Sequence, residues 1–233
     1  MNDCNQNDKI QFLEKIPIFR GLSYEQLTAI ASVAFFKNYK EDEIIIKENV
    51  PSTFLYIICS GKVKIVKASK TGKTKILGFL TSGDFFGEIS LLTIYNPSAT
   101  VQCKEETQVL ILGREDFLNL IKTNFDITRK ILEEISTRLY HADIEIVDLS
   151  FESITHRFVN TLILLGQRTP EVDKNQMIIN IPLTHKELAE IIGTRREFIT
   201  KFISNLKKEG LIEILKDRRI LLKDIKGLRN LIE

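Results

Sequence analysis

PLTHKELAEIIGTRREFITKFISNLKKEG runs from Pro182 to Gly210. Thr184 and Glu187 stand three apart, the spacing of a capping box, and open a first helix whose apolar face is Leu188, Ala189 and Ile192. Gly193 ends it, as a residue that tolerates positive φ does. Thr194 and Glu197 repeat the capping pattern and predict a second helix. There Phe198, Ile199, Phe202, Ile203 and Leu206 face inward, while Arg195, Arg196, Glu197, Thr200 and Lys201 face outward near the helix start. Two short helices joined at a glycine predict a helix-turn-helix, and a basic first turn on the second helix suits a reader of the DNA major groove. A plain helical hairpin with solvated charges would share part of this pattern. The caps, the turn glycine, the outward Arg-Arg-Glu and the segment that follows favour the helix-turn-helix.

That following segment is Leu211–Leu215, Lys216-Asp217-Arg218-Arg219 and Ile220–Leu222, which reads as a hairpin wing with a cationic tip. From Thr184 to Lys223 there are ten Lys/Arg against six Asp/Glu, although the whole chain of 233 residues carries a net charge of only +2. The basic charge is therefore concentrated at the C-terminal end, and double-stranded DNA is the partner it suits. Upstream, Met177–Leu183 reads as a strand and Ile154–Arg168 as a helix, with a polar loop ending in Asp173-Lys174-Asn175 between them. Before these a long helix is expected from about Asp126. In it Ile135, Leu139, Ala142, Ile146 and Leu149 recur at four-three-four-three spacing, and Leu132 extends the stripe backward. That is a coiled-coil seam and predicts a homodimer; a helix packed on its own domain is the simpler alternative. Leu149–Ser153 breaks the pattern and is expected to be the linker.

The first half has a different period. Short helices are expected at Lys9–Lys15 and from Ser23, where Gln26 completes a capping box. From Ala34 to about Leu112 come short apolar runs: Glu43–Ile46, Phe54–Ile58, Lys62–Val66, Lys75–Leu80, Ala99–Cys103 and Val109–Leu112. Turn residues separate them, and a helix at Arg114–Asn124 closes the series. This predicts a β-barrel or roll, and for the whole chain an α+β fold. Within it, FFGEISLLTIYNPSATV (residues 85–101) resembles a phosphate cradle. Gly87 allows close backbone approach, Glu88 has the chemistry to accept from sugar hydroxyls, and Ser98 and Ala99 offer donors. Pro97, however, brings neither charge nor N–H where a phosphate needs a cation. The bland alternative is a tight turn at Gly87 and a solvated or backbone-bonded carboxylate at Glu88.

Composition excludes several classes. Cys4, Cys59 and Cys103 are too far apart for a metal site, and their odd number argues against a disulfide framework. Cys59 and Cys103 fall in strand runs and are expected in the core. The polar N-terminus is no signal peptide and no apolar run is long enough for a membrane span, so a cytoplasmic location is expected. No nucleophile–base pair, metal spacing or Walker-type loop points to an enzyme. A binding or interaction module that does not read DNA remains the competing class.

With these segments in this order, the sequence resembles the cyclic-AMP receptor protein/fumarate-nitrate regulator (CRP/FNR) family of bacterial transcription factors. LYIICSGKVKIV, FGEISL followed five residues later by PSATVQC, and IGTRREFITK carry the resemblance. It implies a β-roll sensor domain over residues 1–124, similar to the cyclic-nucleotide-binding double-stranded jelly roll. It further implies a dimerisation helix and hinge over 125–150, a winged helix-turn-helix over 151–233, and action through RNA polymerase. Cyclic-AMP binders in the family carry Arg where this chain has Pro97, and a Thr-Ser pair on the dimer helix where it has Ala142-Asp143. The resemblance therefore implies that the pocket survives without cyclic AMP as its ligand, and no cofactor is identified. The iron–sulfur members need a cysteine cluster where Cys4 stands alone. His141, His156 and His185 all lie in the helical second half, away from any haem site.

Overall fold

A computed structural model of the chain describes residues 6–167 and 175–232. Cys4, Arg168 and the loop expectation at Asp173 and Lys174 lie outside the described residues. The chain forms two compact units, and the division falls between Arg138 and Leu139.

The first unit opens with α1 (Gln6–Lys15) and α2 (Tyr24–Val33), the latter entered through the Ser23–Gln26 capping box. Eight strands follow: β1 (Phe35–Tyr39), β2 (Ile44–Ile46), β3 (Phe54–Ser60), β4 (Lys62–Ala68), β5 (Thr74–Thr81), β6 (Phe85–Phe86), β7 (Thr100–Cys103) and β8 (Thr107–Gly113). They build two antiparallel four-stranded sheets, β1-β8-β3-β6 and β2-β7-β4-β5. Of these strands, β1 and β6 were not among the expected runs, and α3 (Glu88–Leu92) was not expected either. The last two are too short to show a period.

The roll explains why β3 and β8 are apolar without interruption. Alternate side chains leave a strand on opposite faces. Tyr56, Ile58, Val109 and Ile111 enter one core with Val63, Phe86, Val101 and Cys103. Leu55, Ile57, Leu110 and Leu112 enter a second core with Leu13 of α1, Leu27 of α2 and Phe117 of α4 (Arg114–Thr123). Strands buried on both faces lose the apolar–polar alternation. Cys103 is fully buried and Cys59 packs partly against the second core, as expected of strand cysteines.

The long helix α5 runs from Phe125 to Phe151. Ile127 and Ile131 are buried in the second core, and Ile135 is partly packed on it. Ile135 thus serves its own domain, unlike its expected seam partners. The helix also continues through Leu149, Ser150 and Phe151, so the expected linker shrinks to Glu152 and Ser153. Ser153 restarts the chain by accepting from His156 N–H at 3.1 Å.

The second unit continues with α6 (Ile154–Gln167), β9 (Met177–Ile179), α7 (His185–Ile192), α8 (Arg196–Lys208), β10 (Ile212–Ile214), β11 (Ile220–Leu222) and α9 (Ile225–Asn230). Strand β9 is shorter than the apolar run Met177–Leu183, because Ile181 and Leu183 are buried outside the sheet. It pairs with β11, which pairs with β10.

Candidate nucleic-acid interface and effector pocket

The Thr184 side chain accepts from Glu187 N–H at 3.1 Å, and the Glu187 carboxylate accepts from Thr184 N–H at 2.9 Å, so the first capping box forms. Helix α7 buries Leu188, Ala189 and Ile192 and ends at Gly193, whose φ is 76°. The second capping box does not form. Gly193 N and Thr194 N both donate to Ala189 O, so Thr194 is used in the turn that closes α7. Helix α8 therefore starts one residue later, with Arg195 as its N-cap and no side-chain cap bond.

The inward face of α8 is as expected. Ile199, Ile203 and Leu206 are buried, and Phe198 stacks on Phe202, which meets Phe158 of α6 edge-on at 5.0 Å. This fixes the rotation of the helix. Arg195, Arg196, Glu197, Thr200 and Lys201 are consequently exposed. Arg196, Glu197, Thr200 and Lys201 share one exposed face of α8, which continues along Ser204, Asn205 and Lys208. Those last three went unnoticed in the sequence, although Ser204 and Asn205 each lie four residues beyond Thr200 and Lys201, one helical turn further on the same face, and Lys208 lies one turn beyond them.

The wing turns at Lys216-Asp217-Arg218-Arg219, with Ile214 opposite Ile220. Lys216 and Arg218 are exposed, and Arg218 adopts a φ of 66°. Arg219 is engaged within the protein. Its guanidinium donates to Asp217 Oδ2 at 2.6 Å and to Asn180 Oδ1 at 2.8 Å. The Arg219 backbone N–H, and then its side chain, hold the Asp217 carboxyl below the usual carboxylate range.

In the roll, Gly87 has a φ of 94° and begins α3. A Cβ there would lie 2.5 Å from Phe54 O, so the turn itself demands glycine. Glu88 is 8% exposed, which excludes a solvated carboxylate. Its partner is Arg138 of α5, at 3.2 Å. Arg138 also donates to Phe85 O at 2.8 Å and to Glu134, and its guanidinium sits 4.8 Å from the Phe85 ring centroid. Burial raises the Glu88 pKa, and the nearby Arg138 charge only partly offsets this.

Pro97 is buried and Ser98 exposed, with Ala99 buried beside it. Lys67 of β4 donates to Ser98 O at 2.7 Å and pairs with Glu48 at 3.2 Å. Asn49 N donates to Pro97 O at 2.9 Å. Sequence reasoning missed both cations, Lys67 and Arg138. Each reaches the cassette from a distant segment, and nothing local marks it.

The profile of the cyclic nucleotide-binding domain matches residues 36–124, and that of the Crp-like helix-turn-helix domain matches residues 156–231. The chain is 31% identical over 199 residues to the cyclic AMP receptor protein of Thermus thermophilus, covering 85% of this chain and 88% of the relative. The chain belongs to the CRP/FNR family of transcriptional regulators. It is 24% identical over 218 residues to the CRP-like cAMP-activated global transcriptional regulator of Mycobacterium tuberculosis, covering 94% of this chain and 97% of the relative. In fold it is similar to the structure of FixK2 from Bradyrhizobium japonicum, with a TM-score of 0.74 at 22% identity, covering 86% of this chain and 98% of that one. The CRP/FNR chain is thus a DNA-binding transcription regulator with a cyclic nucleotide-binding domain. Among the described residues no helix is long and apolar enough to cross a membrane.

The buried Glu88 gives a pH test. A folded pKa raised above the unfolded value contributes stability below the unfolded pKa, and that contribution is lost as pH rises through the folded pKa. Glu88→Gln keeps the shape and cannot ionise. Urea unfolding is expected to show wild-type stability falling relative to Glu88→Gln as the pH is raised from about 4, the ordinary glutamate range. A difference that does not vary with pH would show that Glu88 ionises in the folded protein as freely as in the unfolded chain.

Proposed function

We propose that this chain is a homodimeric, cytoplasmic, sequence-specific regulator that reads a near-palindromic site through α8, acts through RNA polymerase, and does not use cyclic AMP as its effector. One observation carries the DNA reading. The aromatic contact of Phe158 with Phe202 and the buried Ile199 and Ile203 put Arg196, Glu197, Thr200 and Lys201 together on the exposed face of α8. Arg196 is assigned to guanine, since a guanidinium matches the O6/N7 edge bidentately. Glu197 accepts from cytosine N4 or orients a neighbouring cation. Lys201 keeps a charge without the planar fork and discriminates less between bases. Thr184, Thr194, Arg195, Lys216 and Arg218 serve the phosphates and set position. Arg219, bonded to Asp217 and Asn180, braces the wing instead.

The dimer reading is supported by α5. Leu132, Leu139 and Ile146 are 58%, 62% and 61% exposed in the single chain, and Ala142 and Leu149 are exposed between and after them. A row of apolar side chains left in water at seam spacing is a surface for a second copy. Two copies related by a two-fold axis present their reading helices to two half-sites about one DNA turn, roughly 34 Å, apart.

The effector reading rests on Pro97. Cyclic nucleotide-binding relatives imply a nucleotide, but the buried ring supplies no cation or N–H for its phosphate. A charge-assisted contact of that kind contributes roughly 1.5–3 kcal/mol. The cations near the cassette are committed: Arg138 to Glu88 and Phe85 O, Lys67 to Glu48 and Ser98 O.

The DNA, dimer and effector readings each carry expected outcomes. Arg196→Ala loses roughly 1–3 kcal/mol and relaxes preference at one base pair per half-site. Arg218→Ala weakens all sequences alike and lowers the salt slope by roughly 1 per subunit. Binding-site selection at two salt concentrations separates them, and an unchanged motif for Arg196→Ala would remove it as the reading residue. Retention on DNA that ignores salt would point to the module that does not read DNA. Leu139→Asp places an unpartnered charge in the seam and yields a monomer by sedimentation; a persistent dimer would place the interface elsewhere. Calorimetry with cyclic AMP shows no sub-micromolar binding, and Pro97→Arg recovers only part of the affinity. Tight binding by the wild type would return cyclic AMP as the effector.

A further inference from the structure

The apolar row of α5 admits one heptad register. Leu132, Ile135, Leu139, Ala142, Ile146 and Leu149 alternate at three and four, which puts Leu132, Leu139 and Ile146 at a and Ile135, Ala142 and Leu149 at d. Ile131, Arg138 and Glu145 then fall at g, and Ser136, Asp143 and Ser150 at e. In a parallel two-stranded pair a g residue faces the e residue five places later on the other helix, so Arg138 faces the partner's Asp143. A two-fold axis makes the contact twice. These positions allow no other pairing of opposite charges, because Ile131 and Glu145 each fall against a serine. An antiparallel pair sets e against e and leaves Asp143 facing serine or a second Asp143.

Both side chains have capacity for this contact. A guanidinium has five N–H groups. In Arg138, Nε donates to Glu134 at 2.8 Å, Nη1 to Glu88 at 3.2 Å and Nη2 to Phe85 O at 2.8 Å. The other two N–H groups have no partner among the described residues, and the side chain is 28% exposed. The cassette thus holds the guanidinium in place without saturating it. Asp143 is exposed and makes no hydrogen bond or ion pair among the described residues. Glu88 and Glu134 oppose a third carboxylate, but Glu134 is 41% exposed and screened by water, and burial favours the uncharged form of Glu88. We infer that Asp143 of a second copy binds the open side of the Arg138 guanidinium, so that each dimer closes two mixed sites in which one copy supplies Glu88 and Arg138 and the other supplies Asp143. The inference rests on the reading of α5 as a dimer seam. The pair selects the parallel, in-register seam, since reversing one helix or sliding it by a heptad removes the contact. It also makes the seam and the cassette share one cation.

The test measures the dimer dissociation constant of the full chain, by dilution of fluorescently labelled protein, for the wild type, Asp143→Asn, Arg138→Gln and the double variant. The loss of the Arg138–Glu88 contact is common to both Arg138→Gln arms and cancels in the cycle. Asp143→Asn is expected to weaken the wild-type dimer by roughly tenfold, for two pairs, and to have no effect in the Arg138→Gln background. If Arg138→Gln does not fold, position 143 decides alone. Asp143→Glu keeps the charge and is expected to dimerise within about twofold of the wild type. Asp143→Lys sets a cation against Arg138 and is expected to lose more than Asp143→Asn, with both losses shrinking at high salt. Equal losses for Asp143→Asn in the two backgrounds overturn the inference, as does equal dimerisation of the Asn, Glu and Lys variants, and the seam reading survives either result. A wild type that stays monomeric at every concentration removes the seam itself, and the inference with it.

Discussion

Glu88 is a carboxylate held out of water, and a buried charge without a partner is among the most costly features a fold can contain. Arg138 answers it from fifty residues away. Because Glu88 begins α3 and Arg138 lies on α5, the pair fastens the cassette to the long helix. Burial outweighs the attraction, so the Glu88 pKa stays raised even with Arg138 beside it. The same arginine takes Phe85 O and lies over the Phe85 ring, so any movement of α5 at this point is felt in β6 and α3 together.

Helix α5 carries two apolar demands on one cylinder. Ile127 and Ile131 close the core of the roll, whereas Leu132, Leu139 and Ile146 remain in water. In the sequence these two stripes merge at Ile135, which fits the heptad spacing and yet packs on its own domain. Spacing reports which residues share a face. It does not report what covers that face, so spacing alone did not show that Ile135 also packs on its own domain.

Local chemistry was the legible part. The Ser23 and Thr184 capping boxes, the glycine at 193 and the strand–turn rhythm each depend on neighbours within a few residues, and all are found in the structure. The Thr194–Glu197 box failed although its spacing was right. Whether a threonine caps the next helix or closes the previous one depends on where the chain leaves the turn, and Thr194 N bonds back to Ala189 O. Arg138 and Lys67 were illegible for a different reason. Their partners are brought to them by sheet pairing and by the path of a helix, and neither leaves a spacing to read.

The wing shows how charge counting misleads in the same way. Lys216, Arg218 and Arg219 are equivalent in a tally of basic residues, and only geometry separates them. Asp217 draws the Arg219 guanidinium inward, and Asn180 beside β9 takes its other side, so this cation holds the hairpin to the sheet. Arg218 is exposed, placed there by a left-handed turn residue that a β-carbon makes costly. A favourable backbone at 218 would be bought with glycine and the loss of the charge. The turn keeps the arginine and bears the strain, which is the arrangement expected where a side chain has work outside the fold.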